Sequence, residues 1–174
     1  MGKIRVYLGL GGDQGAVVPR LQQALHLLSE EPFVVDLACS HFYRTSPVGM
    51  ESAFPVSSWF VNAVCAFSTS ASAMEIFAVT QRIERLLGKV SKPKNASRPI
   101  DIDLLFYGDQ IVCEGELEIP HPRWKERLFV LVPLKELTPE IVIRGEGGQE
   151  RYGVDEWIRS LLDEGSQNLF KIDD

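Results

Sequence analysis

Asp101-Ile102-Asp103 sets two carboxylates two positions apart within the apolar stretch 100–107. On a strand such a pair projects to one face, about 6.6 Å apart at roughly 3.3 Å per residue. Ile102, Leu104 and Phe106 are then expected on the other face, in a core. Carboxylates at that spacing repel, and both stay ionised most readily with a cation between them. Magnesium suits the pattern, because it takes one or two carboxylates together with phosphate oxygens. An isolated Asp-x-Asp is more commonly a solvated strand edge kept soluble by its acids. An aspartyl-nucleophile phosphatase is the other chemistry with this motif, but its apolar strand normally precedes the acids, and here the apolar run follows them.

The surrounding residues shift that balance. Lys89, Lys92, Lys94 and Arg98 precede the acids, and His121, Arg123, Lys125 and Arg127 follow within a short span. Cations flanking a metal-binding carboxylate pair are what polyphosphate binding requires. Alone, each basic group is an ordinary solvated face; beside the aspartates the two interpretations are about even. His121, between Pro120 and Pro122, is a functional candidate, whereas His26 and His41 read as structural. Phe60-Val61-Asn62 places a ring and an amide on one strand face. An amide suits the edge of a heterocycle and rings such as Phe60 and Phe129 suit its faces, although core aromatics and a turn-facing amide are the stronger reading of these residues taken alone. Gln81 and Glu84 share a helix face and look like plain surface. The run from Gly9 through Gly15 misses the dinucleotide fingerprint at Gln14, and no Lys-Ser/Thr follows for a P-loop. A tight strand-to-helix turn is sufficient, with Asp13 as a cap or site residue.

The elements that must position these residues alternate along the chain. Residues 4–10 read as a strand, with Gly9, Gly11, Gly12 and Gly15 marking a turn, and Val18, Leu21, Ala24, Leu25 and Leu28 have helical spacing. One strand is expected over 33–43, a loop over 45–58, and a strand over 59–67. A helix over 72–87 should bury Ile76, Val79, Ile83, Leu86 and Leu87 and end at Gly88. A basic loop over 89–99 leads into the strand 100–107, followed by a short hairpin at 111–119. Residues 129–134 form an apolar run, 145–148 a loop, and Val154, Trp157, Ile158, Leu161 and Leu162 a last helix, with 171–174 loose. Strand-helix-strand twice over predicts a ferredoxin-like α+β core, mainly antiparallel, with C-terminal additions. The helices should take one sheet face and leave the other for loops and ligand.

Composition sets the outer bounds. The 174 residues suit one domain, 1–174, and 45% apolar with 24% charged residues is ordinary for a globular chain. A net charge of -6 argues against a general binder of nucleic acid or anionic membrane, including an RNA-binding ferredoxin-like domain. Cys39, Cys65 and Cys113 are far apart and supply neither a disulfide framework nor a zinc site, which points to a reducing compartment. The chain begins directly on a strand, and Val6 stands where a myristoylation motif needs Ser or Thr. No apolar run approaches the roughly 18 residues of a membrane span. A cytoplasmic location is expected.

Several stretches together resemble the 6-hydroxymethyl-7,8-dihydropterin pyrophosphokinase family. They are Tyr7-Leu8-Gly9-Leu10-Gly11, Tyr43-Arg44-Thr45-Ser46-Pro47-Val48-Gly49 and Phe60-Val61-Asn62-Ala63-Val64. Gln81-Arg82-Ile83-Glu84 before Gly88 and Arg98-Pro99-Ile100-Asp101-Ile102-Asp103-Leu104-Leu105 follow. Ile119-Pro120-His121-Pro122-Arg123, Arg127, Phe129-Val130-Leu131 and Pro133-Leu134 complete the set. The resemblance implies ATP-dependent transfer of pyrophosphate to the hydroxymethyl group of a reduced pterin, releasing AMP. It implies two magnesium ions on Asp101 and Asp103, with Arg98 and Lys89 completing the catalytic set. Thr45, Ser46, Val48, Phe60, Asn62 and Phe129 match pterin positions. Gln81, Glu84, Arg98, Leu104, His121 and Arg127 match ATP positions. Three stretches depart from the pattern: Gly11-Gly12-Asp13 for Gly-Ser-Asn, Gly88-Lys89-Val90-Ser91 for Gly-Arg-x-Arg, and Ala96-Ser97-Arg98 for Gly-Pro-Arg. Lysine replaces arginine as a charge but not as a planar fork. A non-catalytic binding module is the alternative these departures allow.

Overall fold

The computed structural model describes residues 2–46, 59–90 and 97–172. Val48 and most of the expected 45–58 loop, together with Ser91, Lys92 and Lys94, lie outside them.

Strand β1 (Ile4–Gly12) runs on past the expected turn. Gly11 and Gly12 belong to the strand, paired with Asn62 and Val61, and their neighbours leave no room for a side chain. A Cβ on Gly12 would stand 2.5 Å from the Pro99 carbonyl oxygen, and one on Gly11 would stand 2.4 Å from Asn62 Oδ1. Helix α1 (Val17–Ser29) buries Val17, Leu21, Ala24 and Leu28. The segment expected as one strand over 33–43 is two, β2 (Val35–Cys39) and β3 (Tyr43–Thr45), which pair with different stretches of β4 (Phe60–Thr69). Asp36 at φ 54° and a register shift between Val35 and Ala38 break the first of them.

Helix α2 (Ala73–Leu86) opens with a reciprocal capping box: Ser72 accepts from the Glu75 N–H, and Glu75 accepts from the Ser72 N–H. Its buried face is Ala73, Ile76, Thr80, Ile83 and Glu84, while Leu86 is exposed, so the stripe is rotated from the one expected. Gly88, at φ +95°, ends the helix in a conformation that side chains resist. Strand β5 (Asp101–Tyr107) pairs with β1. The hairpin β6 (Val112–Glu114) and β7 (Leu117–Ile119) forms as expected, and a 3-10 turn (Trp124–Glu126) follows. With a last strand β10 (Leu169–Lys171), the sheet is antiparallel in the order β10-β3-β4-β1-β5, with β2 also on β4. This is the ferredoxin-like α+β arrangement.

The apolar run 129–134 is helix α3 (Leu128–Leu137), formed despite Pro133 in its interior. A hairpin, β8 (Glu140–Gly145) and β9 (Gly148–Gly153), occupies the segment from which only the 145–148 loop was expected. Helix α4 (Val154–Glu164) closes on Gly165, and β10 pairs with β3, which holds Lys171 where a loose end was expected over 171–174; residues 173–174 lie outside the described ones. No described helix is long and apolar enough to cross a membrane.

Both faces of the sheet are covered, contrary to the expectation of one. Val6, Leu8, Leu10, Val61, Phe67 and Ile102 pack under α1 and α2. Val64, Leu105 and Phe106 pack under α3, α4 and Trp124. Phe106 lies on the second face because the β1–β5 register shifts between Tyr7 and Leu8, pairing them with Phe106 and Leu104 and leaving Leu105 as the extra residue. Alternation sets Asp101, Asp103 and Leu105 on the α3 side, and the shift adds Phe106 to it. The aspartates stand beyond the end of the covered surface.

Candidate active site

The register builds the site. Tyr43 pairs with Asn62, Asn62 with Gly11, and Gly11 with Asp101; one step along, Val64 pairs with Gly9 and Gly9 with Asp103. Directly paired residues share a face, so Asn62 and the two aspartates look out on the same side. They are two strands apart, about 10 Å at the usual strand spacing. Between them the central strand presents glycine. The result is a trough with a backbone floor, an amide wall on one side and a carboxylate wall on the other. Sequence reasoning took these glycines for a turn. Their signal was present in the alternation Gly9-x-Gly11, which empties one face of a central strand.

On the carboxylate wall, Lys89 Nζ lies 2.6 Å from Asp101 Oδ1 and 2.8 Å from Glu84 Oε1, and Arg98 reaches Asp101 Oδ1 at 3.2 Å. Glu84 is not helix surface: it is buried, and Oε1 also accepts the Ile102 N–H at 2.6 Å. Burial pushes its carboxyl up, and Lys89 and Ile102 offset this only in part. Burial acts to lower the Lys89 ammonium, yet Asp101 and Glu84 carry it above the ordinary lysine value. Asp13 does not cap α1, whose N-cap is Ala16. It accepts the Arg98 N–H at 2.7 Å and donates its own N–H to the Arg98 carbonyl at 3.1 Å, pinning the end of the basic loop.

Asp103 is treated differently. Its side chain is 41% exposed, yet the protein packed close around it, with the Asp101 charge added, pushes its carboxyl up to about 6, and Arg127 acts against both. His121 Nε2 is 3.9 Å from Asp103 Oδ2. Burial, and then the Arg127 charge, bring the imidazole down to about 4, so it is neutral at pH 7. Its Nδ1 accepts the Arg123 N–H at 3.2 Å, which leaves the ring proton on Nε2, facing the trough. The Arg127 guanidinium lies 5.4 Å from the Phe129 ring centre. Arg123 is turned away, on Glu126 at 3.0 Å.

The described residues of the amide wall carry no charge. Asn62 Nδ2 donates to Thr45 Oγ1 at 2.7 Å, and both residues are buried. Ser46 is buried beside them and Phe60 is partly exposed. Gln81 lies on α2, half-buried, three residues before Glu84. Leu104 is not brought to the trough: its side chain is buried under α1 and α2. Among the described residues no three or more His, Cys, Asp or Glu side chains converge as a metal cage. The donor set is instead two carboxylates on an open face, which fits magnesium held jointly with phosphate oxygens rather than by protein alone.

A family model for 7,8-dihydro-6-hydroxymethylpterin-pyrophosphokinase (HPPK) matches residues 7–139. The chain belongs to this family. It is an enzyme of the pyrophosphokinase class. It is 38% identical over 146 residues to the 2-amino-4-hydroxy-6-hydroxymethyldihydropteridine pyrophosphokinase of Methylorubrum extorquens, covering 84% of this chain and 90% of the relative. The Bacillus subtilis enzyme of the same name is 33% identical over 164 residues, covering 88% and 96%. Among solved structures, the Plasmodium falciparum HPPK-DHPS with pteroate superposes with a TM-score of 0.68 at 14% identity. It covers 93% of this chain and 45% of that longer one, a likeness of fold. The matched stretch contains both walls of the trough and stops before the β8–β9 hairpin begins.

Proposed function

We propose that ATP and the reduced pterin meet across the glycine floor, the polyphosphate against Asp101 and Asp103 and the pterin against Asn62 and Thr45. The reaction is ATP-dependent pyrophosphoryl transfer to the hydroxymethyl group of 6-hydroxymethyl-7,8-dihydropterin, a step of folate biosynthesis. The hydroxymethyl oxygen forms a bond to the β-phosphorus, the bond from that phosphorus to the α-phosphate bridge breaks, and AMP leaves. The observation that carries this reading is the shared face of Asn62, Gly11 and Asp101 in one row of the sheet.

Asp101 and Asp103 would hold magnesium, in the two-ion form that the family resemblance implies. Bound there, it neutralises charge on the polyphosphate. Arg98 and Lys89 add fixed positive charge on the same side, and the neutral His121 offers its Nε2–H as a donor to a phosphate oxygen. Arg127 supplies a planar guanidinium beside Phe129. On the opposite wall the Asn62 amide, already oriented by Thr45, reads the pterin edge. Ser46 contributes a backbone group, a part the family resemblance also assigns to Val48, and Phe60 and Phe129 cover the ring faces. Gln81 and Glu84 border the nucleotide, Glu84 by holding Lys89 and the start of β5. Leu104 contributes through its backbone alone. One domain carries all of this.

The test is direct. Purified protein incubated with ATP, magnesium and 6-hydroxymethyl-7,8-dihydropterin should release AMP in step with pterin diphosphate, resolved by ion-exchange chromatography. Release of ADP, or AMP release that does not depend on the pterin, would overturn the assignment.

A further inference from the structure

The stretch that matches the family ends at residue 139, yet the trough is braced from beyond it. Gln167 is buried. Its Oε1 accepts the Leu128 N–H at 2.9 Å and its Nε2 donates to the Glu126 carbonyl at 2.9 Å. These are the peptide groups on either side of Arg127. Arg127 is itself the N-cap of α3 and makes no capping bond with its side chain. The first N–H of that helix would be an orphan donor at a buried position, and Gln167 supplies the missing acceptor from 39 residues away.

Gln167 is in turn held in place. The next residue, Asn168, accepts the Ser46 N–H at 2.9 Å and donates its own N–H to Ser46 Oγ at 3.0 Å. From there β10 pairs with β3, Leu169 opposite Thr45. A second brace acts on the same turn: Lys125 Nζ lies 3.9 Å from the Tyr152 ring centre and 5.0 Å from that of Trp157. Arg127 thus sits in a backbone fixed on both flanks by residues 152–168, and its charge reaches both Asp103 and His121.

We propose that Gln167 is a positioning residue for the transfer reaction, setting the Arg127 guanidinium at the phosphate side of the trough through the two peptide groups that flank it. The proposal rests on the reading of Arg127 as a phosphate-side residue. A merely structural Gln167 would change stability and leave turnover of the folded enzyme alone. A positioning Gln167 changes turnover, because a displaced charge contact costs rate out of proportion to the displacement.

Gln167→Met keeps the volume and removes both bonds. At saturating ATP and pterin its kcat should fall roughly ten- to a hundredfold, at a temperature where circular dichroism reports a fully folded protein. Gln167→Glu keeps the acceptor for Leu128 and should recover part of the loss. Ile158→Val, which thins the α4 packing without touching the brace, should leave kcat unchanged. Combining Gln167→Met with Arg127→Ala should be no worse than Arg127→Ala alone, since residues that act through one another are not additive. Wild-type kcat in Gln167→Met, or strict multiplication of the two losses in the double variant, would overturn the proposal while the reading of the site stood. A wild-type protein that released no AMP would overturn the site reading and, with it, any role for Gln167 in transfer.

Discussion

The two walls of the trough are built on opposite principles. The amide wall is neutral and finished: Asn62 is buried, bonded to Thr45 and held over a glycine that admits nothing larger. The carboxylate wall is charged and provisional. Among the described residues, Asp101 pairs with Lys89 and Arg98, while Asp103 faces a neutral imidazole at 3.9 Å and the fields of Arg127 and Lys89. A preformed hydrogen-bonding edge can discriminate a heterocycle, because an ill-fitting ligand leaves buried polar groups unpaired. Charges paired with one another must exchange partners before they can hold a polyphosphate. On the proposed reading, the pterin side would carry specificity, and the phosphate side the charge that stabilises transfer.

The sharpest way to break that division is Asp103→Ala. Magnesium-dependent turnover should fall about a hundredfold or more, since stabilising phosphoryl charge is worth several kcal/mol. Thermal stability should hold or rise, because the substitution removes a carboxyl already pushed up to about 6 by burial and by Asp101. Near-wild-type turnover would refute the role of this carboxylate. Arg98→Ala comes next. Its single-turnover rate should drop roughly ten- to a hundredfold, the worth of one charge-assisted hydrogen bond, with a much smaller change in binding of an ATP analogue. An unchanged chemical step with a raised dissociation constant would make Arg98 a binding residue only.

Gly11→Ala probes the floor. Its Cβ would stand 2.4 Å from Asn62 Oδ1, so the amide must move. Overpacking of this kind costs about 1–3 kcal/mol, and the loss should show in pterin affinity as well as in the melting temperature. Full retention of pterin affinity would mean that Asn62 does not read the ligand. The smallest effect concerns the support behind the amide wall. Glu136 of α3 accepts from the Tyr43 hydroxyl, from the His41 N–H at 3.1 Å and from the His41 ring at 2.7 Å. Burial acts to raise its carboxyl, but these bonds hold it below the ordinary 4.5. The stabilisation is therefore present above pH 4.5 and lost as the pH falls through the folded-state value. Glu136→Gln should flatten the acid limb of the stability profile by up to about 1 kcal/mol, modest because the group is part-exposed. Superimposable acid limbs would remove Glu136 from the account.

The sequence revealed the chemistry better than the placement. Asp101, Asp103 and Asn62 could be set on strand faces because alternation on strands is local, and the two strand-helix-strand units were legible from equally local patterns; Thr45 was singled out by the family resemblance alone and expected in a loop, whereas it ends β3. The shift that turns Phe106 to the second face was not legible, because it depends on how two distant strands pair. Glu84 looked like surface, since its burial depends on Ile102 and Lys89 arriving from elsewhere. The α3 helix was hidden by Pro133 and by an apolar composition without a polar face. The brace from Gln167 could not be read at all: a glutamine that caps a helix 39 residues away leaves no pattern along the chain.

The division between the walls is tested most directly by crossing two variants with two ligands in isothermal titration calorimetry. Asn62→Ala should lose about tenfold or more in affinity for the reduced pterin and little for a magnesium-bound, non-hydrolysable ATP analogue. Asp103→Ala should do the reverse. Equal losses for both ligands in both variants would contradict the account, because the trough would then be one undivided pocket rather than two walls with separate tasks.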